Sequence, residues 1–200
     1  DNYTAPDLRG PDSGPQKWTV EETAAYLATA RNAHSTATGE MMLVVRDSTQ
    51  YLTTDDNKAI ASYLKKIGST KPSEAKKADA PTDTEQLLSS AKADMPLGPR
   101  LYLDNCGGCH FVNGKGAPEI FPELDGNSLV TAKSTKGLIS VILHGAELPS
   151  TEQRPMKVRM QGYEDRLSDD EIAALATFLR NAWSNKAPEV TAQDVSVVKN

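Results

Sequence analysis

An all-α fold is what this sequence predicts, on three observations. Apolar residues recur at helical intervals behind hydroxyl-bearing N-caps in several segments. No segment shows the strict apolar–polar alternation of a half-buried strand. With Phe 3, Tyr 6 and Trp 2, the core must be filled mostly by Leu, Ile, Val and Ala, or by a group the chain does not encode. A length of 200 residues allows one or two domains.

Residues 1–17 hold Pro6, Gly10, Pro11, Gly14 and Pro15 and read as an extended or looped arm. A helix follows, because Thr19 stands three residues before Glu22, the capping-box spacing, with Ala24, Ala25, Leu27 and Ala28 behind it. A second helix is expected over about 55–66, with Ile60, Tyr63, Leu64 and Ile67 on one face and Gly68 as its stop. Residues 69–83 mix lysines and prolines with small residues and read as a solvated linker. A short helix over 85–93 is broken by Met95-Pro96-Leu97-Gly98-Pro99, and another runs from 100 to 105 into the two cysteines. A loop with Gly114, Gly116, Pro118 and Pro122 precedes a helix over about 136–144. The strongest helix is capped by Ser168, places Asp169, Asp170 and Glu171 at the positive end of its dipole, and buries a stripe of Ile172, Leu175, Ala176, Leu179 and Trp183. The polar tail, 187–200, is expected to wrap the surface or fray. Residues 52–64 match 167–179 without a gap, an internal repeat at an offset of 115 residues.

Composition excludes several classes. No stretch approaches the ~18 consecutive apolar residues of a membrane span. Asp1-Asn2-Tyr3-Thr4 has neither the basic region nor the apolar core of a signal peptide, so the expectation is an exported chain whose signal is already gone. Twenty-two basic against 27 acidic residues give a net charge of -5 with no basic face, which argues against a nucleic-acid partner.

The two cysteines stand as Cys106-Gly107-Gly108-Cys109-His110, the C-x-x-C-H haem-attachment signature. Thioether bonds to two porphyrin vinyl groups need cysteines about one helical turn apart, and the adjacent His110 then presents its imidazole to the iron. A thioredoxin-like pair would need a βαβ context, and a zinc half-site would need two more ligands; the sequence offers neither. An electron carrier needs a sixth ligand, and a thioether favours ferrous iron. Met160 is the expected ligand and Met156 the runner-up, with core filling as the plain alternative for either. His34 and His144 each follow a helix and read as helix-end histidines bonded to backbone, not as ligands.

These motifs carry a resemblance. Residues 95–187 resemble a class I cytochrome c domain through Cys106 to His110, Phe121-Pro122-Glu123-Leu124-Asp125-Gly126-Asn127, Val141-Ile142-Leu143-His144-Gly145, Met160-Gln161-Gly162-Tyr163 and residues 167–184. More closely, the chain is similar to the C-terminal part of the multihaem cytochrome c subunits of membrane-bound bacterial dehydrogenases of alcohols, sugars and sugar acids. The resemblance implies Met160 as axial ligand, in a loop where Gln161 replaces the family's proline and leaves it less rigid. It also implies that the carbonyl of Pro122, twelve residues past His110, accepts the imidazole N–H. Trp18 to Leu27, Arg31-Asn32-Ala33-His34-Ser35, Gly39-Glu40-Met41 and Asp47 to Leu52 resemble the second half of a preceding haem domain, with Met41 on its axial methionine. The matching attachment site would precede residue 1, as in a cut longer polypeptide or a subunit whose first domain lost its haem; the retained Met41 favours the former.

The expected organisation is therefore a helical half-domain without a haem site over 1–70, a linker over 71–92, a monohaem class I cytochrome c domain over 93–187 and a tail over 188–200. The expected role is periplasmic one-electron transfer by one covalent haem c, with no substrate transformed. The resemblance implies an upstream dehydrogenase, a downstream oxidase, quinone or cytochrome, and peripheral membrane association only through a complex. Two other readings stand beside it: a haem enzyme or gas sensor with an open sixth position and His144 as distal group, and residues 1–70 as a module docking the carrier to its dehydrogenase.

Overall fold

The computed structural model describes residues 6–68 and 82–199, so most of the expected linker at 69–83 lies outside the described residues. In the N-terminal unit, the helices α1 (Gly14–Lys17), α2 (Val20–Thr29), α3 (Gly39–Asp47) and α4 (Thr54–Lys66) surround a small core. Thr19 and Thr53 close capping boxes with Glu22 and Asp56 at the starts of α2 and α4, satisfying backbone donors that helix ends leave free. α2 packs on α4, and the 3-10 turn Thr49–Tyr51 locks the pair: the Thr49 hydroxyl donates to the Leu27 carbonyl at 2.5 Å and Asn57 Nδ2 to the Thr49 carbonyl at 3.1 Å. Ala30, Ala37 and Val45 form a small buried cluster, against which Tyr26 and Met41 pack.

The second unit holds α5 (Asp83–Ser90), α6 (Leu97–Asn105), α7 (Gly107–His110), α8 (Lys136–His144), α9 (Asp169–Asn181) and α10 (Ala192–Lys199). Its core joins Leu88 of α5, Leu101 and Tyr102 of α6, Ile139 and Leu143 of α8 and Ile172, Leu175 and Leu179 of α9. α6 crosses α9 at Gly98, where an added Cβ would lie 2.7 Å from the Ala174 carbonyl and 2.8 Å from Phe178 Cβ. At the far end Tyr102, Phe178 and Trp183 meet as a ring cluster with centroids 5.5–6.1 Å apart. Buried Arg180 pins the chain on either side of α9, donating to the carbonyls of Val130, Ala132 and Pro188.

Several sequence expectations change in detail. Gly98 and Pro99 do not precede the cysteine-bearing helix but form its first turn, where proline has no hydrogen bond to lose. Helix α5 runs over Asp83–Ser90 instead of 85–93, started by a Thr82–Glu85 capping box. The arm contains α1, and α3 forms where the sequence showed no strong apolar stripe; only Val45 of α3 is buried. Trp183 lies beyond α9, where φ of 55° folds the ring back onto Tyr102. The tail does not fray: Thr191 and Asp194 bond reciprocally, and Val195 and Val198 are buried in the main core. Two short antiparallel strands, β1 (Ala146–Glu147) and β2 (Arg159–Met160), interrupt the all-helical pattern.

The repeat extends to the backbone. Residue 30, which ends α2 at φ 64°, is offset by 115 from residue 145, which ends α8 at φ 77°. The two copies differ in exposure: Leu175 and Leu179 are buried, whereas of their counterparts Ile60 is exposed and Leu64 only partly buried.

Gly98→Ala tests the helix crossing. Alanine gains about 1 kcal/mol of helix propensity, but its Cβ meets backbone that must move, so a net loss of about 1–2 kcal/mol is expected in denaturant unfolding.

Candidate functional site

Helix α6 ends at Cys106, whose N–H donates to the Tyr102 carbonyl at 2.8 Å, and the chain turns directly into α7. The N–H groups of Cys109 and His110 both return to the Cys106 carbonyl, at 3.1 and 3.0 Å. This one-turn geometry keeps the two thiols on a single short segment, Cys106 buried and Cys109 exposed. Burial pushes the Cys106 thiol up to about 12, so it stays neutral at physiological pH. The Tyr102 hydroxyl donates to the carbonyl of Phe111 at 2.5 Å and fixes the exit from α7.

His110 is buried, and its Nδ1 lies 3.0 Å from the Pro122 carbonyl. A carbonyl only accepts, so Nδ1 carries the proton and the Nε2 lone pair is left for a metal. Burial lowers the imidazole pKa, against the opposing pull of the Pro122 carbonyl, and keeps the ring in the neutral form a metal requires. Gly116 makes this contact possible. Its φ is 58°, its N–H donates to the His110 carbonyl at 3.2 Å, and a Cβ there would sit 2.2 Å from the Phe121 carbonyl and 2.7 Å from that of Pro122.

The methionine segment is built on the end of α8. A Cβ on Gly145 would lie 2.3 Å from the Met160 carbonyl, and one on Gly162 would lie 2.3 Å from the Leu143 carbonyl, so both glycines permit close backbone approach. Ala146 pairs with Met160 across the β1–β2 ladder. The Tyr163 hydroxyl donates to the Asn105 carbonyl at 2.6 Å, tying this segment to the residue before Cys106. Gln161, in place of the family's proline, donates from Nε2 to the Tyr163 hydroxyl at 3.1 Å, which restores some of the stiffness a proline would supply. Met160 is partly buried against the main core, while Met156 is 77 % exposed. An offset of 115 lays Met41 over Met156 and not over Met160, but Met41 lies in a helix and Met156 in neither helix nor strand, so the two segments differ in conformation.

Neither remaining histidine uses its ring as expected. His34 Nδ1 lies 2.7 Å from Glu123 Oε1 and its Nε2 3.0 Å from Glu22 Oε1, so its partners are carboxylates and not backbone. The bond to Glu123, and then the charges of Glu123 and Glu22, raise its pKa against the effect of burial. His144 does end α8, but its ring faces Glu164 at 3.3 Å. The sequence reading also missed Arg31, a buried cation whose donors reach the carbonyls of Glu119 and Met156. Nothing in its local pattern marks it, because both contacts are remote in sequence.

Two thiols one turn apart, a buried neutral imidazole oriented from behind and a partly buried thioether form a donor set that fits covalent haem. Among the described residues no cluster of three His, Cys, Asp or Glu could hold a metal ion, which leaves the zinc half-site reading without its other ligands. Fold and site together define a class I cytochrome c.

Comparison with known proteins agrees. Residues 96–183 match the cytochrome c family, and the chain belongs to it. The cytochrome c subunit of the quinone alcohol dehydrogenase of Gluconacetobacter polyoxogenes is 39 % identical over all of this chain and 43 % of its own length. The gluconate 2-dehydrogenase cytochrome c subunit of Pantoea cypripedii is 32 % identical over all of this chain and 45 % of its own. Cytochrome c-552 of Thermus thermophilus is 34 % identical over 44 % of this chain and 69 % of its own. The chain thus spans less than half the length of the dehydrogenase cytochrome c subunits it matches. Family membership implies covalently held haem c.

The raised pKa of His34 sets a pH test. A group whose folded pKa exceeds its unfolded value near 6.5 stabilises the fold fully below that value and loses the contribution as pH rises through the folded one. The thermal midpoint should therefore fall over that rising window in the wild type, and less in His34→Gln.

Proposed function

We propose that this chain is a periplasmic electron carrier with one covalent haem c, ligated by His110 and Met160, that relays electrons from a dehydrogenase to an oxidase, quinone or further cytochrome. The observation that carries this reading is the His110–Pro122 hydrogen bond directly after Cys106 and Cys109. Bound haem c supplies a ferric–ferrous couple, and the chain's residues supply the rest. Cys106 and Cys109 would anchor the group, and His110, fixed in tautomer and plane, would present Nε2 as a ligand. Met160 would supply the second ligand, its thioether favouring the reduced form. Burial of His110 and its bond to the Pro122 carbonyl hold the imidazole in place, which limits reorganisation as the electron arrives and leaves.

The proposed organisation keeps the half-domain at 1–70, the linker at 71–92, the monohaem domain at 93–187 and the tail at 188–200, with Leu88 docking the linker's last turns on the core. Among the described residues no helix is long and apolar enough to cross a membrane. Association with a dehydrogenase complex rests on the relatives' names, and a periplasmic location on haem consuming both cysteines. The exposed, Glu164-paired ring of His144 offers little support for a distal catalytic group.

Intact mass after acid and organic-solvent extraction should show one haem retained, and Cys106→Ala/Cys109→Ala should lose it. Met160→Ala should lower the reduction potential and open the iron, and Met156→Ala should do neither; the reverse pattern would overturn the assignment.

A further inference from the structure

We propose that the turn at residues 31–34 is a positioning clamp through which the N-terminal unit holds the supports of both axial ligands, His110 and Met160. The inference rests on the axial assignment above and adds residues that supply no ligand.

Arg31 is 6 % exposed, yet among the described residues no carboxylate pairs with it. Its Nη1 donates to the Glu119 carbonyl at 3.3 Å and its Nη2 to the Met156 carbonyl at 3.1 Å. One guanidinium therefore bridges the loop that carries Pro122 and the segment four residues ahead of Met160. Burying a cation on carbonyls alone is costly, and the site persists only because the surrounding chain determines it. Asn32 strengthens the grip. Its carbonyl accepts the Glu119 N–H at 3.1 Å, and its Oδ1 accepts the N–H groups of His34 and Ser35 at 2.9 and 2.8 Å, which stiffens the turn.

Glu119 stands at φ 64°, a left-handed conformation that disfavours any residue with a side chain. Residues 31 and 32 hold it there by both its N–H and its carbonyl, and Arg154 pairs with its carboxylate. Four positions later the Glu123 N–H donates to the His34 carbonyl at 3.0 Å, while the His34 ring meets the Glu123 carboxylate at 2.7 Å. Pro122 lies between these two anchors, and its carbonyl orients His110. A loop fastened at 119 and 123 cannot drift relative to the imidazole, so the strength of that hydrogen bond depends on a unit that contributes no ligand.

The clamp also carries a proton. His34 is faced by Glu22 from α2 and Glu123 from the Pro122 loop. A cation at that position favours the reduced iron and tightens the hold on Glu123. Loss of the proton weakens both effects, so the reduction potential should fall as pH rises through the His34 ionisation.

The test uses the haem-loaded full chain. Ferric protein is titrated with imidazole, a competitor for the methionine's place, while the far-red band of methionine-ligated ferric haem reports the native ligand; the potential is then measured across pH. The wild type should show the band, and Arg31→Gln should bind imidazole roughly tenfold more tightly. His34→Gln, at a partly exposed position, should flatten the pH dependence of the potential. Imidazole affinity and pH profile unchanged in both variants would overturn the clamp. If Arg31→Gln takes up no haem, the His34→Gln profile decides alone. Absence of the band in the wild type would instead overturn Met160 as a ligand, a failure distinct from that of the clamp.

Discussion

One hydrogen bond, from His110 Nδ1 to the Pro122 carbonyl, ties together features that otherwise look unrelated. It explains why position 116 is glycine, since a Cβ there would collide with the carbonyls of Phe121 and Pro122. It explains why Tyr102 hydrogen-bonds the end of the short α7, because the imidazole can meet a fixed carbonyl only if its own backbone is fixed. It also sets the chemistry. The contact assigns the tautomer, leaves Nε2 as donor and allows a buried histidine to stay neutral without an orphaned N–H.

The two units pack differently around this point. In the second unit, Leu175 and Leu179 of α9 are covered by α6 and α8, and large side chains fill the core. In the N-terminal unit the equivalent positions on α4 leave Ile60 exposed and Leu64 only partly buried, and the small core is mostly alanine. Its cohesion comes from helix caps and from side-chain bonds to backbone, such as those of Thr49 and Asn57. Its contacts with the haem-bearing unit are largely polar as well: Lys17 to the Gly126 carbonyl, Arg31 to two carbonyls and the Glu152 N–H to Gln50. Polar contacts of this kind orient two surfaces more than they glue them together.

Local chemistry was legible in the sequence and long-range chemistry was not. The capping boxes at Thr19 and Ser168 appear where the residue spacing put them, and so does the C-x-x-C-H turn, because each is decided within four residues. The tail was misjudged although Thr191 and Asp194 form a recognisable cap, since only two valines, Val195 and Val198, carry its packing. Pro99 was misjudged because a proline reads as a breaker unless its place in the first turn is known. Arg31 and His34 owe their roles to partners 12 to 125 residues away. A helix-end histidine and a histidine between two carboxylates look the same in one dimension, and only the fold tells them apart.

As an electron carrier, the chain itself is proposed to fill both axial positions of the iron and to bind no substrate there. The visible spectrum of the dithionite-reduced protein before and after carbon monoxide reads this out. A sharp ferrous cytochrome c spectrum that carbon monoxide leaves unchanged is expected. A large shift on adding carbon monoxide would contradict it, since the sixth position would then be open or weakly held.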